Sequence, residues 1–201
     1  MDNNLEYNMN QMNVSTSYLN GYLQILIGPM YAGKTTNLIN QYKLFLKQNK
    51  KTIILTHSID IRYSVENLSS HDKDMIKCLK YDSISDFINN NIENIKQYEC
   101  VLIDEAQFFP DLMNILSIVE EYKKIVFVYG LDGDFKRNKF GNILDLIPFC
   151  DTITKLHAKC SICNDCALFS HRKLKNDDQV LVGSNDAYES LCRNCYLKHK
   201  S

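Results

Sequence analysis

Residues 28–35 have the spacing of a phosphate-binding loop, with Gly28 followed after four residues by Gly33-Lys34-Thr35. Glycines let the backbone turn so that consecutive N–H groups point inward and bind an anion. Lys34 would reach the terminal phosphates of a nucleotide, and the Thr35 hydroxyl would hold Mg²⁺. The predicted nucleotide-binding residues of this loop are Gly28, Pro29, Met30, Tyr31, Ala32, Gly33, Lys34 and Thr35.

Two adjacent acids, Asp104 and Glu105, follow the apolar run 100–103. In P-loop proteins an Asp at the end of such a strand helps to hold Mg²⁺. Because neighbouring residues of a strand point to opposite faces, we expect the two acids to have different roles. Glu105 would then act as a general base, either on a substrate hydroxyl, as in a kinase, or on water, as in an ATPase.

Two Cys-x-x-Cys pairs account for four of the eight cysteines, and they are Cys160, Cys163, Cys192 and Cys195. Four thiolates at this spacing predict a closed, tetrahedral structural Zn²⁺ site with no open catalytic position. Cys166 lies so close to the first pair that the identity of the ligands stays ambiguous. Between the pairs, 169–173 and 179–183 are predicted to form a hairpin with its turn at 175–178. The remaining thiols, Cys78, Cys100 and Cys150, are expected to be small buried apolar residues.

Apolar runs alternate with helical patterns from residue 21 to 156, which predicts an α/β fold: a P-loop (RecA-like) parallel sheet with helices on both faces. In such a sheet the loops after residues 27, 104 and 129 meet at the carboxyl edge, where ligands bind. Predicted strands are 23–27, 52–56, 100–104, 125–129 and 152–156; predicted helices are 36–47, 83–95, 110–122 with Pro110 in its first turn, and 142–147. Residues 57–75 are polar and are predicted to be an irregular loop.

Composition limits the classes of protein to be considered. The 201 residues are 45% hydrophobic with a net charge of −1, so no global positive field attracts nucleic acid or a membrane. The chain has no apolar run of the ~20 residues that cross a bilayer and no signal-peptide pattern at its start, so we expect a cytoplasmic protein. The expected organisation is a disordered tail (1–20), a nucleotide-binding domain (21–156), a zinc-ribbon-like domain (157–196) and a short tail (197–201).

An ordered set of motifs resembles the type II thymidine kinases, the cytosolic and viral kinases with a P-loop domain and a zinc lobe. The matching stretches are GPMYAGKTT at 28–36, DIRYS at 60–64, IDEAQFFPD at 103–111, LDGDFKRNKFG at 131–141, and the two cysteine pairs around GSNDAY at 183–188. The resemblance covers roughly residues 22–198. It departs from the family at Ser170, where many relatives have Thr, and at Gly183-Ser-Asn, where they have Gly-Gly-Ala.

The resemblance implies transfer of the γ-phosphate of ATP, with Mg²⁺, to the 5′-hydroxyl of thymidine and of deoxyuridine, giving dTMP and ADP. It makes Glu105 the catalytic base, assigns Asp104 and Thr35 to the metal, and adds Asp60, Arg62 and Gln107 to the nucleotide site. The implied nucleoside-binding residues are Met30, Phe108, Leu131, Phe135, Phe140, Ser170, Gln179, Val180, Leu181, Val182, Gly183 and Tyr188.

In the family, the loop 179–183 with Tyr188 closes over the base and reads it through backbone groups, and zinc fixes both ends of the loop. Aromatic side chains suit a flat base. Arg137 would support either the transferring phosphate or the fold. Relatives are commonly homotetramers, and neither a membrane nor a nucleic-acid partner is expected.

Two other functions are compatible with part of this pattern. The first is an ATPase whose zinc lobe binds nucleic acid, but the basic residues at 171–175 are offset by Asp177 and Asp178, so the basic stripe is weak. The second is a non-catalytic nucleotide-binding module, which the acid at Glu105 argues against.

Overall fold

The structure is a computed structural model that describes residues 19–60, 67–69, 75–174, 178–180 and 187–199. Its strands are β1 (Tyr22–Ile27), β2 (Thr52–His57), β3 (Asn67–Ser69), β4 (Met75–Lys77), β5 (Leu79–Tyr81), β6 (Cys100–Ile103), β7 (Ile125–Gly130), β8 (Thr152–Lys155), β9 (Ala158–Lys159), β10 (Cys166–Ala167), β11 (Phe169–Arg172) and β12 (Tyr188–Leu191). The α-helices are α1 (Lys34–Lys47), α2 (Ile84–Gln97), α3 (Ile115–Glu120) and α4 (Arg193–Lys198), and 3-10 turns span Ala106–Phe108, Leu112–Asn114 and Ile143–Phe149.

Six parallel strands form one sheet in the order β5-β2-β6-β7-β1-β8. The central strands β6 and β7 are buried along their whole length, which is why they read as continuous apolar runs. Alternate residues face opposite layers, so that Val101 packs in one apolar cluster and Leu102 in the other. Phe87 of α2 joins the first cluster, and Leu38 of α1 joins the second. The predicted fold class is therefore confirmed.

Three short strands of the nucleotide-binding domain were not predicted. The predicted loop 57–75 is not wholly irregular. It contains β3 and ends at the first residue of β4, and these two strands pair antiparallel. β5 follows at once and forms the edge of the main sheet beside β2. Each of these strands is only three residues long, too short for an alternating pattern to stand out from its neighbours.

The predicted helix 110–122 is wrong in its first half. Pro110 lies in a turn, the chain forms 3-10 turns on either side of it, and α3 begins only at Ile115. The cause is Asp111, whose carboxylate accepts hydrogen bonds from the backbone N–H groups of Ile84 at 2.8 Å and Ser85 at 2.9 Å. Asp111 thus caps the start of α2 instead of continuing its own helix. The side-chain cap at the start of α2 is Ser83, whose hydroxyl accepts from the Asp86 N–H at 3.0 Å.

The second unit of the fold, called here the zinc lobe (157–199), is built from two small antiparallel pairs, β9–β10 and β11–β12, followed by α4. β11, which matches the first strand of the predicted hairpin, pairs with β12, and residues 179 and 180 are not part of a strand. The rest of the predicted second strand, 181–183, and the turn residues 175–177 lie outside the described residues. Phe169 lies opposite Leu191 in this pairing, and Leu191 directly precedes Cys192. The pairing therefore brings the second cysteine pair back to the first. α4 extends to Lys198, two residues into the expected tail, while residues 1–18 of the expected N-terminal tail lie outside the described residues.

Among the described residues, none of the helices combines the length and the apolar character needed to cross a bilayer.

Candidate active site

The phosphate loop connects the end of β1 to the start of α1. Gly33 precedes α1 with a φ of 76°, a left-handed conformation that glycine adopts at little cost. Gly28 lies against the chain that follows β8, where a Cβ would be 2.5 Å from the carbonyl oxygen of Leu156. The buried ammonium group of Lys34 donates to the carbonyl oxygens of Gly28 at 3.1 Å and Pro29 at 2.8 Å. The lysine therefore folds back over its own loop, where a bound phosphate would be.

Thr35 and Asp104 meet at the carboxyl edge of the sheet, although they are 69 residues apart. The Thr35 hydroxyl donates to Oδ2 of Asp104 at 3.0 Å, and the backbone N–H of Glu105 donates to Oδ1 at 3.0 Å. Asp104 is only 1% exposed. A hydroxyl and a carboxylate side by side are the hard oxygen ligands that Mg²⁺ prefers, so these two residues fit that ion.

Glu105 is buried and has a left-handed backbone, with a φ of 52°. β6 already ends at Ile103, so the two acids do not lie on a strand and strand alternation cannot direct them to opposite faces. The left-handed backbone of Glu105 gives its side chain a direction different from that of Asp104. The Gln107 amide nitrogen donates to Oε2 of Glu105 at 2.6 Å, and its Oε1 accepts from the backbone N–H of Leu131 at 2.9 Å. Gln107, expected in the nucleotide site, thus links the candidate base to the end of β7.

Gly141 allows this arrangement because it passes directly over Gln107. A Cβ at Gly141 would be 2.1 Å from the carbonyl oxygen of Gln107, and the φ of Gly141 is +60°. Any larger residue would have to displace the backbone that holds Glu105.

Aromatic side chains lie next to the acids. The rings of Phe108 and Phe140 meet edge to face at 5.5 Å, and the imidazole of His57 lies 5.9 Å from Phe108. Phe135 is half-buried, and its carbonyl oxygen accepts a hydrogen bond from the Tyr196 hydroxyl at 2.6 Å. These flat apolar faces are suited to a nucleobase.

The zinc lobe bonds directly to the phosphate loop. The buried Ser170 hydroxyl accepts from the backbone N–H of Met30 at 2.9 Å, and the Tyr31 hydroxyl donates to the carbonyl oxygen of Tyr188 at 3.3 Å. The lobe also reaches the loop after β7, where the side-chain amide of Gln179 donates to Asp134 at 3.0 Å. Residues expected to bind the phosphates and residues expected to bind the base therefore lie in one continuous site.

The other expected residues are placed as follows. Asp60 is buried, and its carbonyl oxygen accepts from the Lys80 ammonium group at 2.9 Å. Val180 is 39% exposed. Arg137 lies over the rings of Tyr196 at 4.6 Å and Phe169 at 5.4 Å, so of its two predicted roles the geometry favours support of the fold. The positions outside the described residues are Arg62, Leu181, Val182 and Gly183.

The four paired cysteines converge, with all their sulfur atoms within 4.8 Å of one another. A tetrahedral site with Zn–S bonds of about 2.3 Å needs sulfurs about 3.8 Å apart, and Sγ of Cys163 lies 3.6 Å from Sγ of Cys192. The residues present therefore fit zinc. Cys166 is exposed and does not belong to the cluster, which removes the ambiguity in the ligand set.

The surroundings of the cluster favour a thiolate at Cys160. Burial alone would raise its pKa, but hydrogen bonds from the backbone N–H groups of Cys192, Cys163 and Ile162 lower the pKa of Cys160 to about 6. Burial, together with hydrogen bonds shared with the other thiols, raises the pKa of Cys195 to about 12. Away from the cluster, Cys78 and Cys100 are buried as predicted, whereas Cys150, for which burial was also predicted, is only partly buried. Burial raises the pKa of Cys100 to about 12.

A comparison with known families decides the assignment: the family model for thymidine kinase matches residues 21–196. The chain belongs to the thymidine kinase family. The match spans both the sheet and the zinc lobe, and membership makes the chain a nucleoside kinase.

Individual relatives carry the same name. The thymidine kinase of rice (Oryza sativa subsp. japonica) is 38% identical over 180 residues, which are 88% of this chain and 66% of that protein, so the chain spans about two thirds of its length. The thymidine kinase of vaccinia virus (strain Western Reserve) is 37% identical over 88% of this chain and 97% of its own. Thymidine kinase 1 of Dictyostelium discoideum is 37% identical over 88% of this chain and 78% of its own.

A crystal structure of a DNA replication initiation factor aligns with this chain with a TM-score of 0.41 and 11% sequence identity, and the alignment covers 68% of this chain and 40% of the other chain.

Three residues of the candidate active site were not predicted from the sequence. His57 contacts Phe108, Asp134 binds Gln179, and Arg172 binds Tyr188. His57 directly follows the predicted strand 52–56, at the same sheet edge as the acids, and that position was a usable signal. Arg172 carried no such signal, because its role depends on a strand pairing that the sequence did not predict.

Proposed function

We propose that this member of the thymidine kinase family transfers the γ-phosphoryl group of ATP to the 5′-hydroxyl of thymidine, and of deoxyuridine, in nucleotide salvage. The observation that carries the proposal is Glu105: a buried carboxylate, hydrogen-bonded by Gln107, directly beside the Asp104–Thr35 pair. A general base next to a metal-binding pair is what phosphoryl transfer to a hydroxyl requires.

The phosphates of ATP are proposed to bind the loop 28–35. Its backbone N–H groups and the Lys34 ammonium group are the expected donors. Thr35 and Asp104 would hold Mg²⁺, which when bound neutralises charge on the β- and γ-phosphates. Asp60 and Arg62 are proposed to act near the phosphates as well.

In the transfer step, Glu105 accepts the proton of the 5′-hydroxyl while that oxygen forms its bond to the γ-phosphorus. The bond from the γ-phosphorus to the bridging oxygen breaks, and ADP leaves with the electron pair. Gln107 has a supporting role, because its hydrogen bonds to Glu105 and to the backbone of Leu131 fix the carboxylate relative to the end of β7.

The nucleoside is proposed to bind where the sheet edge meets the zinc lobe. Phe108, Phe135 and Phe140 supply aromatic surface, and Tyr188 supplies it from the lobe. The other residues in the proposed pocket are Met30, Leu131, Ser170, Gln179, Val180, Leu181, Val182 and Gly183. Structural zinc at the four cysteines would keep the lobe folded and contribute no step of the reaction.

The alternative, an ATPase with a nucleic-acid-binding lobe, finds little support in the charges of the lobe. Arg172 is buried, and Arg193 lies over the ring of Phe169 at 5.0 Å. Arg172 is therefore not available to track a phosphate backbone.

One assay separates the two functions. The protein is incubated with ATP, Mg²⁺ and each nucleoside in turn, and the monophosphates are separated. We expect dTMP and dUMP, with one ADP formed for each monophosphate. ATP hydrolysis alone, stimulated by DNA, would rule out the kinase and favour the alternative.

The family resemblance also suggests a homotetramer in the cytoplasm. Sedimentation velocity of the full chain tests the assembly, and a monomer across the micromolar range would contradict it.

A further inference from the structure

We infer that Arg172 is a positioning residue for the nucleoside, one that holds Phe135 and Tyr188 together as a single wall of the pocket. The inference rests on the proposed function, because it assigns these two aromatic residues to the nucleoside. Arg172 is not among the residues that the family resemblance assigned to the site.

Arg172 is the last residue of β11 and lies opposite Tyr188 in the antiparallel pairing with β12. Its side chain is buried, with a relative exposure of 6%. A buried guanidinium group is costly unless hydrogen bonds compensate for its lost hydration. The partners of this group therefore indicate what it stabilises.

Within the part of the chain that the structure describes, the guanidinium group donates to three neutral oxygens. Nη1 donates to the carbonyl oxygen of Asp178 at 2.5 Å, and Nη2 donates to the carbonyl oxygen of Gln179 at 3.2 Å and to the Tyr188 hydroxyl at 2.5 Å. Gln179 and Tyr188 both belong to the proposed pocket. The rigid fork of an arginine suits such a task, since one planar group can bind several acceptors at fixed angles.

The same group also stacks on aromatic rings. Its central carbon lies 3.8 Å from the centroid of Phe135 and 5.1 Å from that of Tyr188. Phe135 lies in the segment after β7 and belongs to the nucleotide-binding domain, whereas Tyr188 belongs to the zinc lobe. Arg172 therefore joins one aromatic residue from each unit of the fold.

Phe135 has a second attachment to the lobe. Its carbonyl oxygen accepts from Tyr196, which directly follows the zinc-binding Cys195. The backbone of Phe135 is thus held through α4, while its ring is stacked on Arg172. Removing the guanidinium group would release the ring and leave the backbone attachment in place.

The lobe has other sources of stability. Its apolar cluster consists of Cys160, Ala167, Leu191, Cys192, Cys195 and Tyr196, and Arg172 is not part of it. The β11–β12 pairing uses backbone hydrogen bonds, and the metal site is formed by the cysteines. Loss of Arg172 should therefore weaken nucleoside binding more than it weakens the fold.

The test compares Arg172→Met with Lys173→Met, which removes an exposed cation from the next position in the chain. For each variant, kcat and KM are measured for thymidine and for ATP, with zinc content and thermal unfolding alongside. We expect Arg172→Met to raise the thymidine KM about 10-fold or more, with kcat and the ATP KM changed less than about threefold. Lys173→Met should match the wild type.

Two results would overturn the inference. One is a thymidine KM in Arg172→Met within twofold of the wild type. The other is a loss of zinc and of kcat with unchanged KM, which would mean that Arg172 only supports the fold. If Arg172→Met does not fold, Arg172→Lys replaces it in the same test, because lysine keeps the charge but lacks the planar fork. We expect Arg172→Lys to raise the thymidine KM about threefold or more.

A double-mutant cycle tests whether Arg172 acts through Tyr188. Tyr188→Phe removes only the hydroxyl that accepts from Nη2. If the two groups act together, the thymidine KM of the double variant should be close to that of the weaker-binding single variant. If the fold-increase in thymidine KM of the double variant equals the product of the two single increases, the two groups act independently and the coupling is contradicted.

Failure of the inference can be told apart from failure of the proposed function. A wild-type protein that forms no dTMP refutes the proposed function. A wild type that forms dTMP, beside an Arg172→Met variant with unchanged thymidine KM and unchanged calorimetric affinity for thymidine, refutes only the role of Arg172.

Discussion

The two units of this protein are stabilised in different ways. The sheet has six strands and two large apolar clusters, so it depends on burial. The described residues of the zinc lobe form strands of two to four residues and one small apolar cluster, in which three of the six buried residues are cysteines of the proposed metal site. A unit with so small a core usually needs a metal or disulfides to fold.

The chemistry of the two units differs in the same way. The sheet edge presents a lysine, a hydroxyl and two carboxylates, which are groups for phosphates and a metal. The lobe presents an aromatic ring, backbone carbonyls and an arginine. Damage to the edge should therefore lower kcat, and damage to the lobe should weaken nucleoside binding while ATP binding persists.

The largest expected effect is at the sheet edge, in Glu105→Gln. The amide cannot accept the proton of the 5′-hydroxyl, so kcat should fall about 10²–10⁴-fold. Calorimetric titration should show ATP binding near the wild-type level. Glu120→Gln, an exposed acid at the end of α3, is the control. Intact turnover in Glu105→Gln would remove Glu105 as the base.

In the lobe, Cys192→Ser should come next in size. Loss of one sulfur ligand should release zinc and raise the thymidine KM at least about 10-fold, with the ATP affinity nearly unchanged. Cys166→Ser, an exposed thiol outside the cluster, should keep both zinc and activity. Equal zinc content in the two variants, measured by metal analysis, would contradict the assignment of the ligands.

Gly141→Ala tests the backbone that holds the base. The added Cβ would meet the carbonyl oxygen of Gln107 at 2.1 Å, and a φ of +60° is unfavourable for alanine. We expect a loss of about 1–3 kcal/mol in the free energy of unfolding and a lower kcat. At Gly133, the nearest atom to an added Cβ is 3.4 Å away, so Gly133→Ala is the matched control. Similar kcat values in the two variants would show that Gln107 does not position Glu105.

The smallest effect concerns stability of the sheet unit alone, through Asp111. Burial would raise the pKa of Asp111, but hydrogen bonds from Ser85 and Ile84 lower the pKa below its usual value of 3.8. Its carboxylate therefore stabilises the fold fully above about pH 4, and this contribution is lost as the pH falls through the lowered pKa. Asp111→Ala should cost about 1 kcal/mol in the free energy of unfolding near pH 7.

Urea unfolding at pH 7 and at pH 3 measures this effect. The difference between Asp111→Ala and the wild type in the free energy of unfolding should narrow at the lower pH, and at pH 7 the two proteins should contain the same amount of zinc. A constant difference at both values would mean that the charge of Asp111 is not what caps α2.

The sequence predicted the sheet well because long buried strands and a phosphate loop have local patterns. β5 and the β3–β4 pair were missed because strands of three residues are too short to show an alternation of apolar and polar residues. The helix starting at Pro110 failed because Asp111 bonds to residues 26 and 27 positions earlier, a tertiary contact with no local signature.

The candidate site divides in the same manner. Lys34, Thr35, Asp104 and the cysteines belong to motifs with fixed spacing, so they could be named in advance. The left-handed turn at Glu105 and the partners of Arg172 could not, because each depends on residues that approach only in the folded chain. The pairing of β11 with β12 could not be predicted for the same reason, because it joins residues that are distant along the chain.

The position of β1 in the sheet has a consequence for synthesis of the protein. Tyr22 pairs with Ile125 of β7, and Gln24 pairs with Thr152 of β8, so both neighbours of the first strand come from the far end of the nucleotide-binding domain. On a ribosome that adds about 5–20 residues per second, β1 and its phosphate loop must wait several seconds for these partners. The most recognisable motif of the chain is therefore made first, but it can reach its final form only after nearly the whole sheet has emerged.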